Sequence, residues 1–196
     1  MALLLPKSAF FHIPKTGGTW VRTALRRSGL TYQEIGAPHC VPAAIYGQLG
    51  GRKTFTFVRH PAWWYRSWWA FNVIDCWYKE PNISGTRMDG FREDWISGSF
   101  EEFLKNVIER TPGYLSSLYE LYVDNPPADF IGRTENLADD LVFALRQAGE
   151  RFDEARLRAT PMQNCSRIAL EYPEGLMEQI CRLESRAMDR FGFTLS

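Results

Sequence analysis

The chain has 196 residues, 45% hydrophobic and 23% charged, a balance that suits one soluble domain spanning 1–196 with a sizeable core. Its 23 basic and 23 acidic residues cancel, which excludes a chain-wide binder of nucleic acid, so any anion site must be local. Cys40, Cys76, Cys165 and Cys181 have neither CxxC nor histidine spacing for a metal site and read as reduced thiols of a cytoplasmic protein. Met1 to Leu5 is too short an apolar run for a signal segment or a membrane span.

Ala9 to Ile13 has the composition of a buried strand. Pro14 and the Gly17-Gly18 pair break it. The two glycines allow positive φ and let an anion approach the backbone. Thr19 can cap a helix that continues through Arg27, with Val21, Ala24, Leu25 and Ser28 inward and Gly29 as its stop. Lys15 lies within the loop. Backbone donors, a helix N-terminus and one lysine make an anion site, phosphate before other anions. The same residues also fit a plain strand–turn–helix junction. A Walker A loop is absent, because the lysine precedes the glycines.

Thr31 to Ile35 reads as a short strand, and Pro42 opens a short helix through Gln48. Thr54 to Val58 alternates and is rich in β-formers, so it is a second core strand, ended by Arg59-His60-Pro61. A helix follows over 62–78, with Trp64, Trp68 and Phe71 on one face and Trp63, Ser67, Ala70 and Ile74 on another. Residues 79–98 carry Pro81, Gly85, Gly90 and Gly98 and read as a long surface excursion, a candidate lid. Phe100 to Arg110 is an amphipathic helix, and Leu115 to Tyr122 a short helix or strand. Ala128 to Gly132 is a third strand. Thr134 or Asn136 caps the next helix, which repeats Leu137, Leu141, Ala144, Leu145 and Ala148. Residues 159–175 look irregular, and a final helix covers 174–191.

Strands alternating with helices imply an α/β fold, three layers around a central parallel sheet. Ligands of such sheets bind beyond the carboxyl ends of the strands. Lys15 follows the first strand, Arg59 the second and Arg133 the third. Three cations thus converge on one edge, which points to an anionic ligand.

Pro14-Lys15-Thr16-Gly17-Gly18-Thr19-Trp20 resembles the 5′-phosphosulfate loop of sulfotransferases that use 3′-phosphoadenosine-5′-phosphosulfate (PAPS). Phe57-Val58-Arg59-His60-Pro61, with Ser67 eight residues after Arg59, resembles their 3′-phosphate motif. Ile131-Gly132-Arg133-Thr134-Glu135-Asn136-Leu137 is similar to a Gly-x-x-Glu-Asn-Leu segment of bacterial and membrane-type members. Asp189-Arg190-Phe191-Gly192-Phe193 is similar to a shortened form of their closing motif.

The resemblance implies a P-loop-like fold and sulfuryl transfer from PAPS to a hydroxyl, less readily an amine, with 3′,5′-adenosine bisphosphate as product and no metal. It implies that Lys15 meets the charge developing on the leaving group, that Thr16, Gly17, Gly18 and Thr19 bind the 5′-phosphate, and that Arg59 and Ser67 hold the 3′-phosphate. Trp20 either supports the adenine side or packs beneath the loop. Ser166 and Arg167, in Asn164-Cys165-Ser166-Arg167, either close over the nucleotide or belong to an ordinary polar loop.

A base must take the acceptor proton. His12 reads as a core histidine and His60 as a local hydrogen-bonding residue. His39 falls between the two nucleotide motifs, where some relatives carry their catalytic histidine, and is the candidate base; Glu34, Glu93 and Asp94 are the alternatives. Core packing accounts for most of Trp63, Trp64, Trp68, Trp69 and Trp77, leaving one or two for an acceptor pocket or a partner surface. The acceptor is a small molecule, sugar or peptide hydroxyl, and no oligomeric state is written in the chain. A P-loop kinase-like phosphotransferase and a non-catalytic nucleotide-binding module are the competing functions.

Overall fold

The computed structural model describes residues 2–74, 93–162 and 170–195. In chain order its elements are β1 (Ala2–Leu4), β2 (Ser8–Phe11), α1 (Gly18–Arg27), β3 (Gln33–Ile35), α2 (Pro42–Ile45), β4 (Lys53–Val58), α3 (Pro61–Trp69), α4 (Phe100–Arg110), α5 (Tyr114–Val123), β5 (Phe130–Arg133), α6 (Leu137–Gln147), α7 (Glu154–Arg158), α8 (Leu176–Leu183) and α9 (Ser185–Phe191). Short 3₁₀ turns cover Tyr46–Gln48, Glu93–Trp95 and Thr134–Asn136, and α3 widens into a π-helical segment at Ala70–Ile74. The protein is α/β. Its described residues fall into two compact units, one drawn from Met1–Arg59 and Tyr119–Cys165, the other from His60–Leu118 and Ser166–Ser196.

The first unit holds a five-stranded sheet in the order β3-β1-β2-β4-β5. The sheet is mixed, not wholly parallel. β2, β4 and β5 run parallel, whereas β1 is antiparallel to both β2 and β3. The cause is a tight reversal at Pro6, in which the Leu5 N–H donates to the Ser8 carbonyl at 2.8 Å. Three residues of strand are too few for an alternation to show in the sequence. Glu150 anchors the same turn, its carboxylate accepting from the Lys7 N–H and the Ser8 hydroxyl, both at 2.8 Å. Asp129 ties the starts of β4 and β5 together by accepting from the Thr54 N–H at 2.8 Å and Lys53 Nζ at 2.7 Å.

The core of this unit packs Trp20, Val21, Ala24 and Leu25 of α1 and Leu141, Val142 and Leu145 of α6 with Phe10, Phe55 and Phe57 of the sheet. Each Val, Leu and Phe side chain among them contributes roughly 1.5–3 kcal/mol on burial. Gly132 is required there, because a Cβ would stand 2.5 Å from the Phe57 ring and 2.9 Å from Asp140 Cβ. Neither Thr134 nor Asn136 caps α6 with its side chain; Asp140, a turn into the helix, instead accepts from the Arg133 N–H at 2.7 Å. A short helix, α7, occupies part of the stretch before 159 for which no element is predicted; its N-cap Asp153 accepts from the Arg156 N–H.

The second unit is built on aromatic rings. Trp64, Tyr65, Trp68, Trp95 and Phe103 are nearly or fully buried and meet edge-to-face, tilted or stacked, with centroids 5.1–6.4 Å apart. Trp95 is a core residue, not part of a surface excursion; the remainder of that excursion at 79–92, together with Trp77 and Cys76, lies outside the described residues. The final helix is two helices, α8 and α9, broken at Glu184. Breaking there lets the buried Glu184 carboxylate reach the start of α5, where it accepts from the Leu115 and Ser116 N–H groups, from the Ser116 hydroxyl and from the Tyr65 phenol. Burial first, and then the Glu184 charge, hold the Tyr65 pKa well above the ordinary phenol value. Cys40 in the first unit and Cys181 in the second are buried and form no disulfide. No described helix is long and apolar enough to cross a membrane.

Candidate functional site

β2 stops at Phe11 because Pro14, lacking an N–H, cannot extend a ladder, and the chain turns through 12–17 into α1. Two residues of the loop are left-handed: Gly17 at φ 83, the N-cap of α1, and Lys15 at φ 64. A lysine in that conformation is strained, and such strain concentrates at functional sites. The Thr16 hydroxyl closes the loop from inside, donating to the Ile13 carbonyl at 2.8 Å. Thr19 does not cap α1. It stands exposed in the first turn, and Gly17, with no side chain to accept from them, leaves the leading N–H groups without a side-chain cap. A helix N-terminus in this state carries about half a positive charge.

The two glycines have different reasons. Gly17 needs its positive φ, and Leu137 covers it, 2.8 Å from where a Cβ would lie. Gly18 is not left-handed. It must be small because the His12 imidazole fills its side-chain space, with Cδ2 2.1 Å and Nε2 2.2 Å from a Cβ placed there. His12 is therefore at the loop and not in the strand interior. Its pKa is held well below the usual histidine value, first by burial and then by the charges of His39, Arg22 and Lys15, so the ring is neutral at neutral pH.

The parallel register sets the cations at one edge. Phe11 pairs with Thr56, and Val58 with Arg133, so the loop with Lys15, then Arg59, then Arg133 leave the carboxyl ends of β2, β4 and β5 side by side. Lys15 and Arg59 are joined directly: Arg59 Nη1 donates to the Lys15 carbonyl at 3.3 Å. The Arg59 main chain is clamped in turn by the buried Tyr119. Its hydroxyl accepts from the Arg59 N–H at 3.0 Å and donates to the Arg59 carbonyl at 2.8 Å.

His39 also comes to the loop. Its Nδ1 lies 3.1 Å from the His12 carbonyl, and the two rings are 4.8 Å apart. Tyr119 and Tyr122 are the residues that sequence reasoning missed. They stand three apart on one face of α5, but a segment readable as helix or strand gives no face to assign.

The other candidates lie elsewhere. Trp20 is in the core of the first unit, and its indole N–H donates to the Thr160 carbonyl at 3.3 Å. Glu34 pairs with Arg22 at 2.7 Å. Ser67 is half-buried on α3 of the second unit. In that unit His60 is a local hydrogen-bonding residue: Nδ1 accepts from the Ala62 N–H at 3.2 Å, so Nε2 carries the proton donated to the Thr194 carbonyl at 2.9 Å. Trp63 is half-buried, with the Arg66 guanidinium 4.8 Å from its ring centre. Ser166 and Arg167 lie outside the described residues. Among the described residues no group of three or more His, Cys, Asp or Glu is disposed to hold a metal ion. A scan against protein-family models finds no match, and searches of curated proteins and of solved structures likewise return none.

Proposed function

We propose that this chain is a PAPS-dependent sulfotransferase, moving a sulfuryl group to a hydroxyl acceptor by in-line displacement in a P-loop-like, three-layer α/β fold of the cytoplasm. The observation that carries the reading is the pairing of the strained Lys15 loop with Arg59 at the carboxyl ends of two adjacent parallel strands. One anionic group alone would need only the loop. A second cation on the neighbouring strand suits a ligand anionic at both ends.

In this reading the N–H groups of Gly17, Gly18 and Thr19 bind the 5′-phosphate, together with Thr16 of the same loop. Arg59 holds the 3′-phosphate through its planar fork, and the family resemblance adds Ser67, and Ser166 with Arg167, to the nucleotide contacts. His39 takes the proton of the attacking hydroxyl as the acceptor oxygen bonds to sulfur. The bond between sulfur and the bridging oxygen breaks, and Lys15 neutralises the charge left on the 3′,5′-adenosine bisphosphate. The protein's own cations supply the positive charge, so the chemistry uses no metal.

Incubation with ³⁵S-labelled PAPS and a panel of alcohols, phenols, sugars, tyrosyl peptides and amines tests the reaction. Label is expected in one hydroxyl class, with bisphosphate released in equal amount. Label retained on the donor across every class, amines included, contradicts it.

A further inference from the structure

The backbone of His39 is the second non-glycine left-handed position among the described residues, at φ 55. Nothing in the local sequence Ala37-Pro38-His39-Cys40 requires that conformation of a histidine, so it is imposed from outside. Two contacts impose it. The Tyr122 hydroxyl, on a side chain that is 2% exposed, donates to the His39 carbonyl. At the other end of the residue, ring Nδ1 meets the main-chain carbonyl of His12 at 3.1 Å. A carbonyl oxygen only accepts, so Nδ1 must carry the hydrogen. The neutral ring then keeps its basic lone pair on Nε2. The His12 ring packs against the His39 ring and is itself wedged over Gly18, which ties the arrangement to the first turn of α1.

We propose that Tyr122 and the His12 carbonyl are positioning elements that lock His39 in its Nδ1–H tautomer and present Nε2 as the proton acceptor at the loop. This rests on the reading of His39 as the base. Tyr122 touches no reacting atom; it acts through the His39 backbone, and the His12 carbonyl acts through the ring. The Nδ1–H form is the less favoured tautomer of an unconstrained histidine, so its presence is a diagnostic of the constraint.

The test is ¹⁵N imidazole spectroscopy of the full chain above pH 7, with His39 assigned by loss of its signals in His39→Gln. In the unmodified protein His39 is expected as the Nδ1–H tautomer. In Tyr122→Phe, which keeps the buried ring, the signals are expected to move toward a mixture. Turnover by that variant falls about tenfold or more while KM for the donor stays within about twofold. A His39 found as the Nε2–H tautomer in the unmodified protein overturns the proposal, as does a Tyr122→Phe variant with unchanged tautomer and unchanged turnover. The spectrum is read whether or not sulfuryl transfer occurs. Absence of transfer with the Nδ1–H tautomer present therefore strikes the proposed reaction and leaves the positioning intact.

Discussion

Lys15→Gly is expected to slow sulfuryl transfer about 10²–10³-fold while leaving the fold no less stable than before. Lys15 is held at φ 64, which costs an L-residue about 1–2 kcal/mol. Glycine removes that strain and returns about 0.4–1 kcal/mol through the freer unfolded chain, so the two nearly cancel with a small gain remaining. Activity behaves differently. The ammonium group is assigned to charge that develops only as the leaving group departs, and removing one such interaction costs roughly 10²–10³ in kcat. Donor KM should move far less than kcat. Denaturant titration and steady-state kinetics on the one variant check both halves. A Lys15→Gly protein that turns over normally would show that the strained lysine does not serve the leaving group.

The second large effect is on stability. Glu184 is 1% exposed, and its carboxylate accepts from the Leu115 N–H at 3.0 Å, the Ser116 N–H at 2.7 Å, and the Ser116 and Tyr65 hydroxyls at 2.6 Å each. Glu184→Ala leaves those donors buried without an acceptor, two of them at the start of α5, where no intrahelical partner exists. At about 1–3 kcal/mol for each orphaned group, partly recovered by relaxation, the loss is on the order of 3–5 kcal/mol. That is a large share of a typical domain's 5–15 kcal/mol. Tyr65→Phe removes a single donor and should cost about 1 kcal/mol. Equilibrium unfolding of the two variants checks the ratio. A Glu184→Ala cost below about 1 kcal/mol would mean that water replaces the carboxylate.

What the sequence made legible was the local chemistry of strands, loops and caps with strong residue signals. The alternation of Thr54 to Val58, the apolar Ala9 to Phe11 and the repeat through Leu137, Leu141 and Leu145 each mark an element that the fold contains. The loop from Pro14 to Gly18 and the position of Arg59 were readable in the same way, because glycine, proline and strand ends carry their own conformational rules. The antiparallel β1 was not, since three residues before Pro6 leave no period to detect. Glu184 was hidden because α8 and α9 share one apolar stripe, and only a tertiary hydrogen-bond set explains the break. His12 and Tyr122 were opaque for a related reason. A histidine over Gly18 follows from the way the loop after β2 turns, and a phenol on the carbonyl of His39 from the packing of α5, and neither leaves a local residue signal.

The central claim is that the Lys15 loop and Arg59 form a site for one nucleotide that is anionic at both its 3′ and 5′ positions. Titration calorimetry of the full chain with 3′,5′-adenosine bisphosphate, in the absence of Mg²⁺, tests it without knowledge of the acceptor. Saturable one-to-one binding is expected, with Kd on the order of micromolar, about −8 kcal/mol, weakened at least tenfold in Arg59→Ala. No comparable binding of Mg-ATP is expected. Preference for Mg-ATP, or bisphosphate binding indifferent to Arg59, would contradict it.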